Sequence, residues 1–181
     1  MSLPLMIFGI TFLVVFVSYF INIHYSIKNQ KQQVQNAWMS FDEIIKLRFD
    51  EIPQMIQLII HYLQDDKNIL NQVLVARTIY EKAINEDEKI IASQELSLAF
   101  NQFLLLIEAK TDIEINDSFI QLKKRILELE KNLGQKKDFY NDTVTNYNMM
   151  IEPFPSCLVA DVKKHRPMTL YELETQYWPF H

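Results

Sequence analysis

The sequence predicts an all-α protein, with an N-terminal transmembrane helix followed by an antiparallel four-helix bundle of long helices. Three observations lead to this fold class. The 181 residues include only two glycines, which leaves few positions for tight turns and hairpins. No side chain from Met1 to Ile27 carries a formal charge. Later stretches repeat apolar residues every three or four positions, which is the spacing of one helix face and not of a β-strand.

The segment Leu3 to Ile23 is the predicted membrane anchor. It holds 21 residues of nearly unbroken apolar character, and a helix of that length spans about 30 Å, the thickness of a bilayer's hydrocarbon core. A cleaved signal peptide is the alternative, but the segment lacks a basic start and a small-residue cleavage site. The first cations, Lys28 and Lys31, follow the segment and none precedes it. The positive-inside rule therefore predicts a single-pass cell-membrane protein with its N-terminus outside and residues 28–181 in the cytoplasm.

Four amphipathic stretches predict the helices of the bundle. The first runs from Lys28 to Leu63, and Pro53 should bend or break it within one turn because proline has no backbone donor. Asn85 and Glu88 have the spacing of a capping box and so begin the third helix. The segment KTDIEI should connect the third and fourth helices. The other three helices are predicted near residues 69–83, 85–106 and 116–151, the last with Asn116 as its cap.

The end of the fourth helix should lie at the membrane. Pro153 and Pro155 stop it, and Phe154 between them is expected to pack on the end of the bundle. Four alternating helices bring this end back near Lys28 and Lys31. The predicted domains are therefore an anchor at 1–27, a helical bundle at 28–152 and a C-terminal tail at 153–181.

The tail carries a basic run that includes Lys163, Lys164 and Arg166. Together with Lys28 and Lys31, these residues are predicted contacts with anionic lipid headgroups, where each cation adds about 1 kcal/mol. The alternative is a solvated or disordered tail, which is common for charged terminal segments.

A Tyr-Asn pair occurs twice, seven residues apart, at Tyr140 and Tyr147. Both tyrosines lie on the apolar face of the fourth helix, which favours core residues with hydroxyls at the edge over a polar active site. Asn141 and Asn148 lie one position round the helix, where an amide can bond a neighbouring helix.

Arg48 also falls on an apolar face, between Ile45 and Ile52. A buried guanidinium needs an anionic or carbonyl partner. We predict an ion pair with a carboxylate of a facing helix, either Glu108 or Glu130. The alternative is that Arg48 extends from the bundle edge into water.

Composition and motifs argue against several function classes. A net charge of −5 spread along the chain disfavours nucleic-acid binding. The four histidines do not form a helical metal pair, and the lone Cys157 has no base beside it in sequence. The sequence lacks a P-loop, a dinucleotide fingerprint and a GxSxG motif. We therefore expect no catalytic activity, no metal site and no cofactor.

Several of these residues together resemble the signatures of the LemA family. The stretch VQNAWMSFDEIIKLRFDEIP, residues 34–53, resembles the first signature, and YNDTVTNYN with FPS resembles the last. Ala76-Arg77, Glu108, Phe119 and Glu130 fall at matching places. The chain departs from the pattern at His24-Tyr25, at Leu47 in place of a second arginine, and at Lys110-Thr111.

The resemblance implies a bacterial protein with an N-terminal membrane helix, a short extracellular start and a cytoplasmic helical bundle. LemA-like proteins have no settled biochemical activity, so the resemblance leaves two hypotheses. The first is a membrane-tethered interaction module that binds an unidentified membrane or cytoplasmic protein, or a second copy of itself. The second is a lipid-sensing or envelope-stress protein that binds an anionic bilayer surface. Both hypotheses place residues 3–23 in the lipid bilayer.

Overall fold

A computed structural model describes residues 3–59, 67–109 and 117–172. Within these ranges the chain is helical and has no β-strand, which confirms the predicted all-α class. The helices are α1 (Leu3–Asp50), α2 (Ile52–Ile59), α3 (Lys67–Lys82), α4 (Glu86–Ala109), α5 (Asp117–Ile151) and α6 (Ser156–Val162). The predicted helix end at Leu63, the KTDIEI connection, the Asn116 cap and the end of the predicted tail lie outside the described residues.

The interruption that Pro53 predicts is present. Helix α1 is continuous for 48 residues, through both the apolar segment and the first amphipathic stretch. Glu51 forms a turn, with its N–H donating to the Arg48 carbonyl at 3.4 Å, and α2 follows. Pro53 lies in the first turn of α2, where the missing donor costs least.

The predicted capping box also forms at the start of α4. The side-chain oxygen of Asn85 accepts the Glu88 N–H at 2.8 Å. The Glu88 carboxylate in turn accepts the N–H of Ile84 at 3.0 Å. These two bonds satisfy backbone donors that a helix start otherwise leaves open. Helices α3 and α4 pack against each other.

The expectation that Phe154 packs on the bundle end is wrong. Helix α5 ends at Ile151 as predicted, but the side chain of Phe154 is 79% exposed. The carbonyls of Pro153 and Pro155 accept N–H groups from the first turn of α6. The proline turn therefore starts a new helix, and it leaves the Phe154 ring exposed.

The chain divides into two compact units. Unit 1 consists of Met1–Trp38 and Tyr140–Leu170, and unit 2 of Met39–Phe139 and Tyr171–His181. This division cuts through α1 and α5 and does not follow residues 27 and 152, where the sequence suggested boundaries. The anchor, bundle and tail remain a prediction.

Each unit has its own core. In unit 1 the ring of Trp38 lies 5.5 Å from that of Tyr140, between their centroids. In unit 2 the rings of Phe49 and Phe100 meet edge to face at 6.1 Å. Other large buried side chains include Ile27, Val34, Val144, Tyr147 and Ile151 in unit 1 and Phe41, Ile45, Ile52, Met55, Leu96, Phe103 and Ile126 in unit 2.

Two described helices are long and apolar enough to cross a membrane. The apolar window of the N-terminal helix has no buried residue, and its large side chains from Leu3 to Tyr19 are all exposed. More than half of the window in α4 is buried, because α4 supplies core residues to unit 2. The N-terminal segment is therefore the better candidate membrane span.

Candidate functional site

Arg48 is the centre of a buried polar cluster in unit 2. It lies in the last turn of α1 and is only 1% exposed. Its guanidinium forms an ion pair with Glu130 of α5. It also donates hydrogen bonds to the side chains of Ser97 and Asn101 on α4, each at 2.9 Å. The guanidinium carbon stands 4.8 Å from the centre of the Phe100 ring, within the range of a cation–π contact.

Of the two carboxylates predicted to pair with Arg48, the structure places Glu130 beside it. Glu108, the other candidate, lies near enough to Lys123 to influence its pKa, which burial lowers and the Glu108 charge partly restores. Arg48 therefore does not extend into water. Its charge is met by one carboxylate and two polar side chains, as a buried cation requires.

Tyr171 completes the cluster, and no sequence pattern predicted its place there. The residue follows α6 in an irregular segment, yet it is 3% exposed. Its hydroxyl lies 3.1 Å from the Ser97 hydroxyl, and its ring meets Phe41 edge to face at 4.8 Å. Burial raises the pKa of Tyr171, while the bond to Ser97 and the charge of Arg48 act against this rise. The arrangement fits a packed structural group better than a reactive one.

A second polar cluster in unit 2 surrounds Asp42. The carboxylate accepts the Tyr80 hydroxyl at 2.5 Å and pairs with Lys46 at 2.6 Å and Lys89 at 3.6 Å. Burial raises the pKa of Asp42, but the bonds from Lys46 and Tyr80 and the charge of Lys89 outweigh it, so the pKa is lowered. Burial and the bond to Asp42 raise the pKa of Tyr80.

A cavity of about 290 Å³ lies beside the Asp42 cluster. Arg77, at its wall, pairs with Glu81 at 2.9 Å and with Asp50 at 3.6 Å. The other cations at this wall, Lys46 and Lys89, pair with Asp42. Because each of these cations already has a carboxylate partner, the cavity is better explained as a surface ion-pair network than as an anion site.

The two tyrosines of the Tyr-Asn repeat are core residues of unit 1. Tyr140 and Tyr147 are 3% and 0% exposed. The Tyr140 hydroxyl donates to the Thr169 carbonyl at 2.8 Å, and the Tyr147 hydroxyl lies 3.4 Å from Nδ1 of His165. Both hydroxyls thus contact the segment that follows α6.

Asn148 bonds this same segment and not a helix. Its amide donates to the carbonyl of Met168 at 3.0 Å and accepts the N–H of Met168 at 2.8 Å. The predicted neighbour was a helix, but a paired bond to one residue's N–H and C=O needs an extended strand-like backbone. The repeat therefore fastens residues 165–169 to α5.

The five cations predicted to contact headgroups all belong to unit 1. Four of them, Lys28, Lys163, Lys164 and Arg166, are exposed, and Lys31 is half-buried. Desolvation lowers the pKa of His165, and the charges of Lys31, His24 and Lys163 lower it further. Positive charge from α1 and from the end of α6 is therefore concentrated around His165. The contact of these cations with lipid headgroups stays a prediction.

Among the residues that the structure describes, no group of three or more His, Cys, Asp or Glu side chains could hold a metal ion. Cys157 is a free, half-buried thiol in the first turn of α6.

The fold and these clusters define a helical protein with an exposed apolar N-terminal helix and a buried arginine that joins α1, α4 and α5. The family model described as "LemA family" matches residues 37–178. The chain belongs to the LemA family. No curated protein matches the chain.

Proposed function

We propose that this protein is a membrane-tethered helical interaction module that acts by contact and not by catalysis. One observation carries the proposal: the exposed apolar segment of α1 continues without a break into core residues of a folded unit. Such a helix would transmit any force or displacement between the bilayer and the folded part. The proposal includes the N-terminus outside, residues 28–181 in the cytoplasm and an antiparallel arrangement of the long helices.

Helix α4 offers a partner protein an exposed apolar surface. Ile91, Leu98 and Leu105 follow at intervals of seven residues, which puts them on one side of the helix. Each is at least half exposed. Helix α3 leaves Leu74, Val75 and Ile79 exposed as well. Exposed apolar side chains at a regular spacing favour docking of another helix, from an unidentified protein or from a second copy.

Crosslinking of the full-length protein in its own membrane, followed by affinity purification, tests this function. We expect one stoichiometric partner, and we expect it to be lost when Ile91, Leu98 and Leu105 are replaced by Ser. Replacement of Met39 and Leu47, which are exposed on α1, is the matched control and should leave the partner bound. Recovery of no partner, or equal recovery from both variants, would refute the interaction module.

Binding to an anionic bilayer surface is the second candidate function. The concentration of Lys31, Lys163 and His24 around His165 favours it, because these residues share unit 1 with the apolar segment. Charge of one sign near the membrane attracts anionic headgroups by about 1 kcal/mol per cation.

Amide hydrogen exchange of the full-length protein in lipid nanodiscs tests the second candidate. Exchange of residues 156–170 should slow when phosphatidylcholine is replaced by phosphatidylglycerol, and added salt should reduce the difference. Replacement of Lys163, Lys164 and Arg166 by Gln should abolish it, while Gln at the exposed Lys82, Lys124 and Lys131 of unit 2 should not. Identical exchange in both lipids would refute surface binding.

A further inference from the structure

An apolar groove runs between α1 and α6 within unit 1. Its volume is about 450 Å³, which is within the range of about 300–1,000 Å³ that small-molecule sites occupy. The walls are apolar side chains of α1 from Phe16 to Ile21 and Leu158, Val159 and Val162 of α6. Of the residues that line it, only His24 and Lys163 have polar side chains. We call this feature the α1–α6 groove.

The two polar residues lie at one end of the α1–α6 groove. Both His24 and Lys163 lower the pKa of His165 through their charges, so they lie near the same ring. Nδ1 of His24 is buried and has no hydrogen-bond partner among the described residues. A buried polar atom without a partner costs free energy, and a polar headgroup beside His24 would supply the missing partner.

We propose that the α1–α6 groove holds one acyl chain of an anionic phospholipid, whose headgroup is bound by Lys163 and His24. This inference rests on the proposed insertion of α1 in the bilayer, since the walls from Phe16 to Ile21 belong to the predicted span. An apolar groove at the level of the predicted span would face lipid and not water. Lys163 then stands where the apolar walls end, which is the position of a phosphate relative to its acyl chain.

A partner helix fits the groove less well than a lipid chain. The α1 residues of the wall extend from Phe16 to His24, a rise of about 12 Å at 1.5 Å per residue. A transmembrane partner would contact α1 over about 30 Å. Lys163 would also remain without an anion against an apolar partner, whereas a phospholipid supplies a negative charge at that end.

The test uses full-length protein purified in detergent, stripped of lipid and mixed with equal amounts of phosphatidylglycerol and phosphatidylcholine. Native mass spectrometry then counts the lipids that stay bound. We expect one phosphatidylglycerol per chain. Val159→Trp fills the groove and should lower the bound amount about tenfold, since overpacked sites exclude their ligand. Val75→Trp, an exposed position on α3, is the matched control and should have no effect.

Lys163→Gln tests the headgroup end without changing the packing. It should lower phosphatidylglycerol binding about five-fold, the effect of one cation near an anionic headgroup. Lys164→Gln, next to it but not in the groove lining, should change binding much less. Helical circular dichroism checks that each variant is folded.

Retention of no lipid by the wild type would overturn the inference, and so would equal retention by the wild type, Val159→Trp and Lys163→Gln. A helix of another protein, or a second copy of this chain, found in the α1–α6 groove in place of lipid would also overturn it. Alkaline extraction of membranes separates this failure from failure of the proposed function. Protein that resists extraction but binds no lipid refutes the groove alone, whereas protein that is extracted refutes the membrane anchor as well.

Discussion

Arg48 shows how one residue can constrain three helices. A buried charge without partners costs several kcal/mol, so α5 must place Glu130, and α4 must place Ser97 and Asn101, against the end of α1 that carries Arg48. The position of Arg48 on an apolar helix face was enough to predict both its burial and a carboxylate partner. Ser97 and Asn101 could not be predicted as partners of Arg48, because a single polar side chain does not change the regular spacing of the apolar residues in α4.

Replacement of Arg48 by Leu should lower the free energy of unfolding by about 3–5 kcal/mol, because Glu130 is left as an uncompensated buried charge. Chemical denaturation of the full-length protein in detergent micelles measures this loss. The double variant Arg48→Leu with Glu130→Leu should lose less than the single variant, because it removes both charges.

Arg125→Leu is the matched control for Arg48. Arg125 is exposed and pairs with Glu51 at 3.0 Å, and exposed ion pairs contribute about 0–1 kcal/mol. A loss at Arg48 no greater than the loss at Arg125 would contradict the described burial.

The lowered pKa of Asp42 predicts a particular pH dependence. A carboxylate whose pKa is lower in the folded state stabilises the fold above its unfolded pKa, and this contribution disappears as pH falls through the folded value. Asp42→Asn should therefore lower the free energy of unfolding by about 1–3 kcal/mol at neutral pH, because Tyr80 and the two lysines lose a charged acceptor and keep only the neutral amide oxygen. The difference from the wild type should shrink below pH 3.8, the ordinary pKa of the group.

Denaturation curves recorded between pH 2 and 7 check this dependence. Glu43→Gln removes an exposed charge next to Asp42 and should have a smaller effect at neutral pH. A wild-type–Asp42→Asn difference that stays constant down to the lowest pH would show that the carboxylate charge is not what stabilises the cluster.

At the scale of elements, the sequence predicted helix starts and ends correctly where one or two backbone hydrogen-bonding groups determine them. Pro53 and the Asn85–Glu88 spacing act through single donors and acceptors, so their effects are local. Helix α6 was not predicted, because seven residues after two prolines contain too few turns to display a period. The partner of Asn148 was missed for a related reason: residues 165–169 have no regular structure of their own.

Asn85→Ala should destabilise the start of α4 by about 1 kcal/mol, since the Glu88 N–H loses its acceptor. Thermal unfolding followed by circular dichroism measures the shift. Asn71→Ala, at an exposed position inside α3, is the control and should be neutral or slightly stabilising, because alanine is the better helix former. Equal losses from both changes would argue against the capping box.

The position of Pro53 predicts a contrast within α2. Pro53→Ala should change stability by less than about 1 kcal/mol, because proline is tolerated in a first turn. Gln57→Pro, one turn later at an exposed position, should cost about 3 kcal/mol by removing an internal helix bond. The same denaturation experiment compares the two variants, and a large loss from Pro53→Ala would show that the proline itself holds the turn.

At the scale of the whole molecule, the distribution of charge around the apolar segment predicts the proposed orientation, with the N-terminus outside. In a Cys157→Ser background, a thiol placed at Ser2 should react with an impermeant maleimide in intact cells. A thiol at Glu172 should react only after the membrane is permeabilised. The reverse pattern would place the folded part outside.

Tyr171 has a consequence for biosynthesis. Chains are made from the N-terminus, so the apolar part of α1, the proposed membrane anchor, leaves the ribosome long before Tyr171 exists. Unit 2 needs this tyrosine to fill the space between Phe41 and Ser97. Until residue 171 emerges, the side of Arg48 and Ser97 that Tyr171 covers in the folded protein is exposed to water or to a chaperone. On the proposed membrane insertion of α1, the protein would be tethered first and would complete its interior afterwards, while confined to the membrane surface.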